Sequence, residues 1–286
     1  MEESKMIATP SRTKEILTQF DLRAKKGLGQ NFLVDPMLVK RCAQEAQCKG
    51  AVIEIGPGLG ALTEALALTA QHVTCYEVDP DMVKVLHVTL ASYDNVEIVL
   101  QDFLHADIDA KIKELYRTYG KVSVCANLPY YITTPVLFKL FEQPLLTYLT
   151  VMVQKEVGER FAAAPGEAQY SALTAEGQYL YEIRKLFNVP GRSFNPSPTV
   201  DSIILQFVRK KESPQDVRDF FAFVRGCFGQ RRKTILNNLK NNLGMSSAQA
   251  LSALKKTGIK ESVRPQQLHV ETLFLLFQAA QEIRNI

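Results

Sequence analysis

Ala51-Val52-Ile53-Glu54-Ile55-Gly56-Pro57-Gly58-Leu59-Gly60 is the stretch whose reading settles the fold. A short β-branched run ends in a cluster of glycines, and ALTEALALTA (61–70) follows with helical length and composition. Strand, glycine turn and helix in that order form the ligand-binding opening of an α/β sheet. Glycines at 56, 58 and 60 let the backbone turn tightly and approach a nucleotide-like ligand without interference from a Cβ. The turn alone leaves the ligand open, because Gly56, Gly58 and Ala61 also satisfy the G-x-G-x-x-G/A pattern of a dinucleotide site. Glu54 weighs against a pyrophosphate, since its carboxylate would lie close to a dianion; it suits a ligand carrying an ammonium and a sulfonium.

Outward from this turn the alternation continues. HVTCYEVD (72–79), VEIVLQD (96–102), VSVCANLP (122–129) and LLTYLTVMVQ (145–154) read as strands, and PDMVKVLHVTLASY (80–93) as a helix between two of them. Such alternation predicts a doubly wound, mainly parallel sheet with helices on both faces. IRKLFNVP (183–190) and SIILQFVRK (202–210) would extend it at one edge, joined by PGRSFNPSPTVD (190–201) as an ordered loop. Beyond Lys211 the character changes: Ser213-Pro214 punctuates the chain, and VRDFFAFVRGCF (217–228), KTILNNLKNNL (233–243), SAQALSALKKT (247–257) and ETLFLLFQAAQEIRNI (271–286) carry helical spacing. The expected organisation is a mobile arm over 1–25, an α/β domain over 26–211 and a small all-helical domain over 212–286.

Composition removes several classes of function. The chain is 46% hydrophobic and 22% charged, as an ordinary soluble protein is, and no apolar run reaches the roughly 20 residues of a membrane span. The N-terminus lacks the apolar core of a secretory signal, so a cytoplasmic protein with no membrane partner is expected. Cysteines at 42, 48, 75, 125 and 227 form no C-x-x-C pair, and histidines at 72, 87, 105 and 269 show no ligand spacing. Metal hydrolysis and His-based acyl transfer are therefore poor starting points, and no metal is expected. The net charge of +4 is unevenly spread: from Arg209 to Arg264 there are 13 Lys or Arg against 4 Asp or Glu, leaving the rest of the chain net negative. Segregated charge of this kind suits a polyanion docking on the C-terminal part, although a solvated helical surface would look the same.

Three further motifs stand at strand ends. Glu77 lies about 20 residues beyond the glycine turn, where a carboxylate can take two hydrogen bonds from ribose hydroxyls. Asp102 could accept from an adenine amino group, or could simply be a solvated strand-end residue. Asn127-Leu128-Pro129-Tyr130-Tyr131 ends the fourth of the strands read above, at the sheet edge where α/β proteins bind ligands. The lone pair of the adenine N6 is delocalised into the ring, so the amine is a weak nucleophile. The side-chain oxygen of Asn127 and the main-chain carbonyl of Leu128 are acceptors able to take both N6 hydrogens and draw nitrogen toward tetrahedral geometry. Pro129 removes a donor and stiffens the turn, and Tyr130 offers a face for a base.

At this point the chain resembles the ribosomal RNA adenine N6,N6-dimethyltransferases over about residues 25–245. Lys26-Gly27-Leu28-Gly29-Gln30-Asn31-Phe32-Leu33 is similar to the family's N-terminal cofactor motif, and Ser193-Phe194-Asn195-Pro196-Ser197-Pro198-Thr199-Val200-Asp201-Ser202 to its post-catalytic loop. The resemblance implies that Asn31, Leu33, Gly56, Glu77, Asp102 and Asn127 contact S-adenosyl-L-methionine. It also implies that Phe194 stacks on the target base opposite Tyr130. Phe228-Gly229-Gln230-Arg231-Arg232-Lys233-Thr234 and the Asp at 201 resemble the bacterial branch acting on small-subunit (16S) rRNA. Thr199 departs from a common Lys and would remove one phosphate contact.

The implied activity is dimethylation of two adjacent adenosines in a hairpin near the 3′ end of that rRNA, by a monomer that also serves subunit assembly. Arg231, Arg232 and Lys233 would contact rRNA phosphates. The alternative within the family is the large-subunit enzyme of the resistance type. Outside that activity, a dinucleotide oxidoreductase leaves the Asn127–Tyr131 motif idle, and a non-catalytic RNA-binding factor has no need of it.

Overall fold

The computed structural model describes residues 6–47, 49–211 and 217–284. Cys48 and the Ser213-Pro214 punctuation lie outside the described residues. Along the chain, α1 (Pro10–Gln19), β1 (Phe32–Leu33) and α2 (Pro36–Glu45) come first. Then β2 (Ala51–Ile55), β3 (His72–Glu77), β4 (Val96–Leu100), β5 (Val122–Asn127) and β6 (Leu146–Gln154) alternate with α3 (Ala61–Ala67), α4 (Pro80–Thr89), α5 (Ile108–Tyr119) and α6 (Thr133–Phe141). Next are α7 (Lys155–Arg160), α8 (Ala172–Leu180), β7 (Tyr181–Val189), β8 (Phe194–Asn195) and β9 (Ser202–Arg209). The chain closes with α9 (Arg218–Phe228), α10 (Ile235–Asn241), α11 (Ser247–Thr257) and α12 (Val270–Arg284).

Seven strands form one sheet in the order β4-β3-β2-β5-β6-β9-β7. β2 through β6 pair in parallel, and β9 runs antiparallel to β6, with Gln154 opposite Ser202. The strand order reverses between β2 and β5, which places a crevice at their C-terminal ends. β2 is buried along its whole length, as a central strand covered on both faces should be. Local chemistry sets the helix starts: Asp35, Asp79 and Asp107 each cap the helix that follows with a side-chain oxygen. Pro36 and Pro80 then occupy first-turn positions where no N–H is needed.

The N-terminal segment differs from the expected arm. Met6, Ile7, Ala8 and Ile16 are buried in the same apolar cluster as Val39, Leu62 and Leu66. The anchor is Glu64 on α3, whose buried carboxylate accepts the Ile7 N–H at 2.9 Å, while Thr13 Oγ1 donates to the Ile7 carbonyl at 3.2 Å. A polar residue inside an otherwise apolar helix face is thus the partner that a sparsely apolar segment needs.

The chain divides into two compact units, residues 1–158 with 184–209 and residues 159–183 with 210–286. The helical unit therefore takes in a segment expected in the α/β domain. The reason lies in the partners of α8: the Tyr179 ring sits 4.9 Å from Phe220, which in turn meets Phe274 at 5.1 Å. Glu176, fully buried, receives two parallel bonds from Arg225, at 3.0 and 2.9 Å. Among the described residues no helix is long and apolar enough to cross a membrane, and no group of His, Cys, Asp and Glu could hold a metal ion.

Glu64→Ala leaves the buried Ile7 N–H without an acceptor and is expected to cost roughly 1–3 kcal/mol in urea denaturation, whereas Glu64→Gln, which keeps an acceptor, costs less. Cleavage near Arg12 and Lys14 in limited proteolysis should accelerate in the Ala variant. Stability equal to wild type would show that apolar contacts alone hold the segment.

Candidate active site

All ten residues expected at the cofactor or target base (Asn31, Leu33, Gly56, Glu77, Asp102, Asn127, Leu128, Pro129, Tyr130 and Phe194) line one concavity at the C-terminal ends of the central strands. The glycine turn forms its floor. Gly58 has φ 59°, a left-handed conformation, and a Cβ there would lie 3.3 Å from the Phe32 ring. Glu77 fixes this turn from the neighbouring strand. Its carboxylate accepts the Gly58 N–H at 3.3 Å and those of Val78 and Asp79 at 2.9 Å each. Burial pushes the Glu77 carboxyl up, opposed by these three N–H donors. A carboxylate has about four acceptor sites, so the three N–H donors leave acceptor capacity on Glu77 facing the concavity.

Asp102 caps its own turn, accepting the Leu104 N–H at 2.8 Å and facing His105 Nδ1 at 3.0 Å. Lys139 braces that turn from α6, donating to the carbonyls of Leu104 and Ala106 at 2.7 and 2.8 Å. Desolvation pulls the Lys139 amine below its usual range, against the charges of Asp102 and Asp107. Neither His105 nor Lys139 carries a signal in the sequence; each acts through a backbone turn that only the fold assembles.

Residues 25–33 cross the mouth as a strap. Lys25 Nζ reaches Asp79 Oδ1 at 2.8 Å and Asp81 Oδ2 at 2.9 Å, and Gln30 Nε2 donates to Asp79 Oδ2 at 3.0 Å. Burial works against the charge on Asp79, but Lys25 and Gln30 outweigh it and hold the carboxyl below its ordinary value. Within the strap, the Asn31 side chain donates to the Gly29 carbonyl at 3.0 Å. β1 then pairs with β8, Phe32 opposite Asn195 and Leu33 opposite Phe194.

On the far wall, Asn127 ends β5 and the Leu128 N–H donates to the Met152 carbonyl at 3.2 Å. The Pro129 carbonyl accepts from Ile132 N–H at 3.1 Å and Thr133 Oγ1 at 3.2 Å, which turns it into the fold. Tyr130 Oη lies 2.8 Å from Ser202 Oγ. Phe194 is 4% exposed and Tyr131 56%, the latter ring lying over Gly29.

Beneath the pocket, Glu54 is 1% exposed. Burial pushes its carboxyl up to about 8, with the nearby Glu77 charge adding and hydrogen bonds to Thr63 and Cys75 opposing. In the helical unit, Arg232 and Lys233 are exposed. Arg231 donates to the carbonyls of Ala168 and Tyr170, which ties the two segments of that unit together. The Asn238 amide organises the same turn, accepting the Gln230 N–H at 2.9 Å and donating to the Thr234 carbonyl at 3.0 Å.

A parallel sheet whose edge carries β9 antiparallel between β6 and β7, with a glycine turn facing a carboxylate on the next strand, is the arrangement of S-adenosylmethionine-dependent methyltransferases. Comparison with known proteins narrows the class. The ribosomal RNA adenine dimethylase family matches residues 21–282, and the chain belongs to it. The ribosomal RNA small subunit methyltransferase A of Bacillus licheniformis is 42% identical over 98% of this chain and 99% of its own. That of Bacillus cytotoxicus is 43% identical, covering 96% and 97%. Among solved structures, a dimethyladenosine transferase from Plasmodium falciparum superposes with a TM-score of 0.72 at 25% identity, covering 88% of this chain and 98% of that one. The 23S rRNA methyltransferase ErmE gives 0.60 at 28% identity, covering 88% and 100%. The dinucleotide reading of the glycine turn falls with this.

The Glu54 carboxyl carries a testable pH signature. From its ordinary value of 4.5 up to about 8, the unfolded chain ionises this group while the folded chain keeps it protonated. Its contribution to stability is full below that window and is lost across it as pH rises, by at most ~1.4 kcal/mol per pH unit. The melting temperature of ligand-free Glu54→Gln is therefore expected to gain on wild type as pH is raised from about 5 to about 8. A pH-independent difference would show that the folded carboxyl is already ionised.

Proposed function

We propose that the chain dimethylates N6 of two adjacent adenosines in a hairpin near the 3′ end of small-subunit rRNA, with S-adenosyl-L-methionine as methyl donor. The observation that carries the reading is the position of the Asn127–Tyr130 turn in the same concavity as the glycine turn and Phe194. Relatives of nearly the same length, named for the small subunit, favour that rRNA over the large-subunit alternative.

The residues fit the donor. Glu77 keeps acceptor capacity for a ribose hydroxyl, and Glu77 and Asp102 give the pocket the negative charge that a cationic ligand needs, while the buried Glu54 carboxyl stays protonated. Gly56, Asn31 and Leu33 would frame it from the turn and the strap. S-adenosylmethionine, when bound, supplies an electrophilic methyl on a sulfonium. Asn127 Oδ1 and the Leu128 carbonyl accept the two N6 hydrogens, which localises the lone pair on nitrogen. Pro129 presents no N–H that could compete for that lone pair. Tyr130 and Phe194 hold the base between aromatic faces, and positioning rather than a strong base supplies the rate. The amine proton becomes acidic once nitrogen carries the methyl, so it can pass to water.

Labelled S-adenosylmethionine mixed with the protein and undermethylated small subunits should label the rRNA as dimethyladenosine, with large subunits unlabelled. Asn127→Ala should reduce transfer by at least about 100-fold while subunits still bind. Full activity in that variant would remove Asn127 from the chemistry, and labelling of large subunits alone would favour the alternative substrate.

For docking, Arg232 and Lys233 supply the exposed charge and Arg231 the scaffold. Changing Arg232 and Lys233 to Glu should leave the melting temperature unchanged and weaken subunit binding. It should also flatten the slope of log affinity against log salt, by roughly 0.7–0.9 for each phosphate no longer engaged. Arg231→Ala should instead lower the melting temperature. Wild-type affinity and salt slope in the double variant would rule this turn out as an rRNA-docking surface.

A further inference from the structure

The segment from Ser193 to Ser202 begins and ends on a serine, one hydroxyl fastened to the start of α2 and the other to the turn that carries Tyr130. At the first end, Ser193 Oγ donates to Asp35 Oδ2 at 3.1 Å, and its carbonyl accepts the Val34 N–H at 2.9 Å. The other oxygen of Asp35 accepts the Leu38 N–H at 3.0 Å, so the same carboxylate caps α2. Phe194 follows Ser193 directly. At the second end, Ser202 Oγ shares a hydrogen with Tyr130 Oη at 2.8 Å. Ser202 is fully buried and held in the sheet opposite Gln154.

The strand ladder pairs Ser202 with Gln154 without using its side chain, so as far as the sheet is concerned a buried residue here could as well be Ala. What the hydroxyl adds is a fixed point for the far end of the Tyr130 ring. The half-buried Tyr130 ring is thereby held at its far end as well as at its Cα, which reduces the side-chain freedom to be ordered when a base arrives. Asp201 stiffens the approach to this pin: its carboxylate accepts the Gly191 N–H at 3.1 Å and its carbonyl the Lys155 N–H at 3.0 Å.

We propose that Ser202 is a positioning residue for methyl transfer, acting through the Tyr130 hydroxyl, with Ser193 as its counterpart acting through Asp35 on Phe194. The proposal rests on the reading of those two rings as the walls of the target-base site. Steady-state kinetics on undermethylated small subunits, S-adenosylhomocysteine affinity by calorimetry and melting temperature test it together.

Ser202→Ala is expected to lower kcat roughly 3- to 10-fold, the worth of one hydrogen bond made in the ordered site, with cofactor-product affinity unchanged. Tyr130→Phe removes the same bond from the other side without touching the sheet, and should give the same loss. The double variant should be no slower than either single, because only one interaction is removed. Ser193→Ala should lower kcat by a separate factor that multiplies with these. Wild-type kcat in Ser202→Ala, or losses in Ser202→Ala and Tyr130→Phe that multiply, would overturn the proposal while leaving the assigned reaction intact. A wild-type protein that leaves small subunits unmethylated would instead overturn both.

Discussion

The reversal of strand order between β2 and β5 is the constraint on which this site depends. Parallel strands with helical crossovers end on one edge, and crossovers leaving in opposite directions cannot both cover that edge. A gap is left there whatever the side chains are. Everything functional in the α/β unit is then a device for lining that gap. Gly56 and Gly58 keep its floor thin, Glu77 ties the floor to β3, and the Asn127–Tyr130 turn closes it from β5. The strap and the 193–202 segment, far apart in the chain, meet over it because β1 and β8 pair.

That pairing makes the walls interdependent. Leu33, on the side assigned to the cofactor, lies directly opposite Phe194, on the side assigned to the target base. Two-stranded ribbons of this length are marginal by themselves. The ribbon persists because both strands are anchored elsewhere, one by the Lys25–Asp79 contacts and one by the serine pins. A shift of either strand would therefore be felt at both subsites, which is the physical requirement for ordering cofactor and base together.

Much of this is legible in the chain itself, for a reason that can be named. β2, β3, β5 and β6 announce themselves because central parallel strands are mostly apolar runs, and β4 at the sheet edge by its β-branched residues. Their ends are marked by polar residues, Glu77 and Asn127 at the last positions of buried strands and Asp102 just past the edge strand β4. β9 and the edge strand β7 are legible as well, but their loop is not: β8 is two residues long and has no periodicity to detect. The N-terminal segment reads as an arm because its holding partner, Glu64, is one buried carboxylate in a helix that otherwise looks apolar. Residues 159–183 read as part of the α/β domain because Glu176 and Tyr179 find their partners far along the chain, on α9 and α12. Long-range pairs between individual side chains leave no local pattern.

The uneven charge of the chain follows from the two ligands the reading assigns. A sulfonium with an ammonium favours carboxylates, and Glu77 and Asp102 line that pocket with Asp79 beside it in the α/β unit. A phosphate backbone favours Lys and Arg, which accumulate from Arg209 to Arg264. Merging both charge sets in one surface would let each neutralise the other in the absence of ligand, at a loss of affinity for both. Arg225 and Arg231 show the limit of counting: both belong to the basic segment, yet one is engaged by the buried Glu176 and the other by backbone carbonyls. The charge available to an rRNA is therefore smaller than the sequence total, and it is concentrated on side chains such as Arg232 and Lys233 that stand exposed at the turn Asn238 organises.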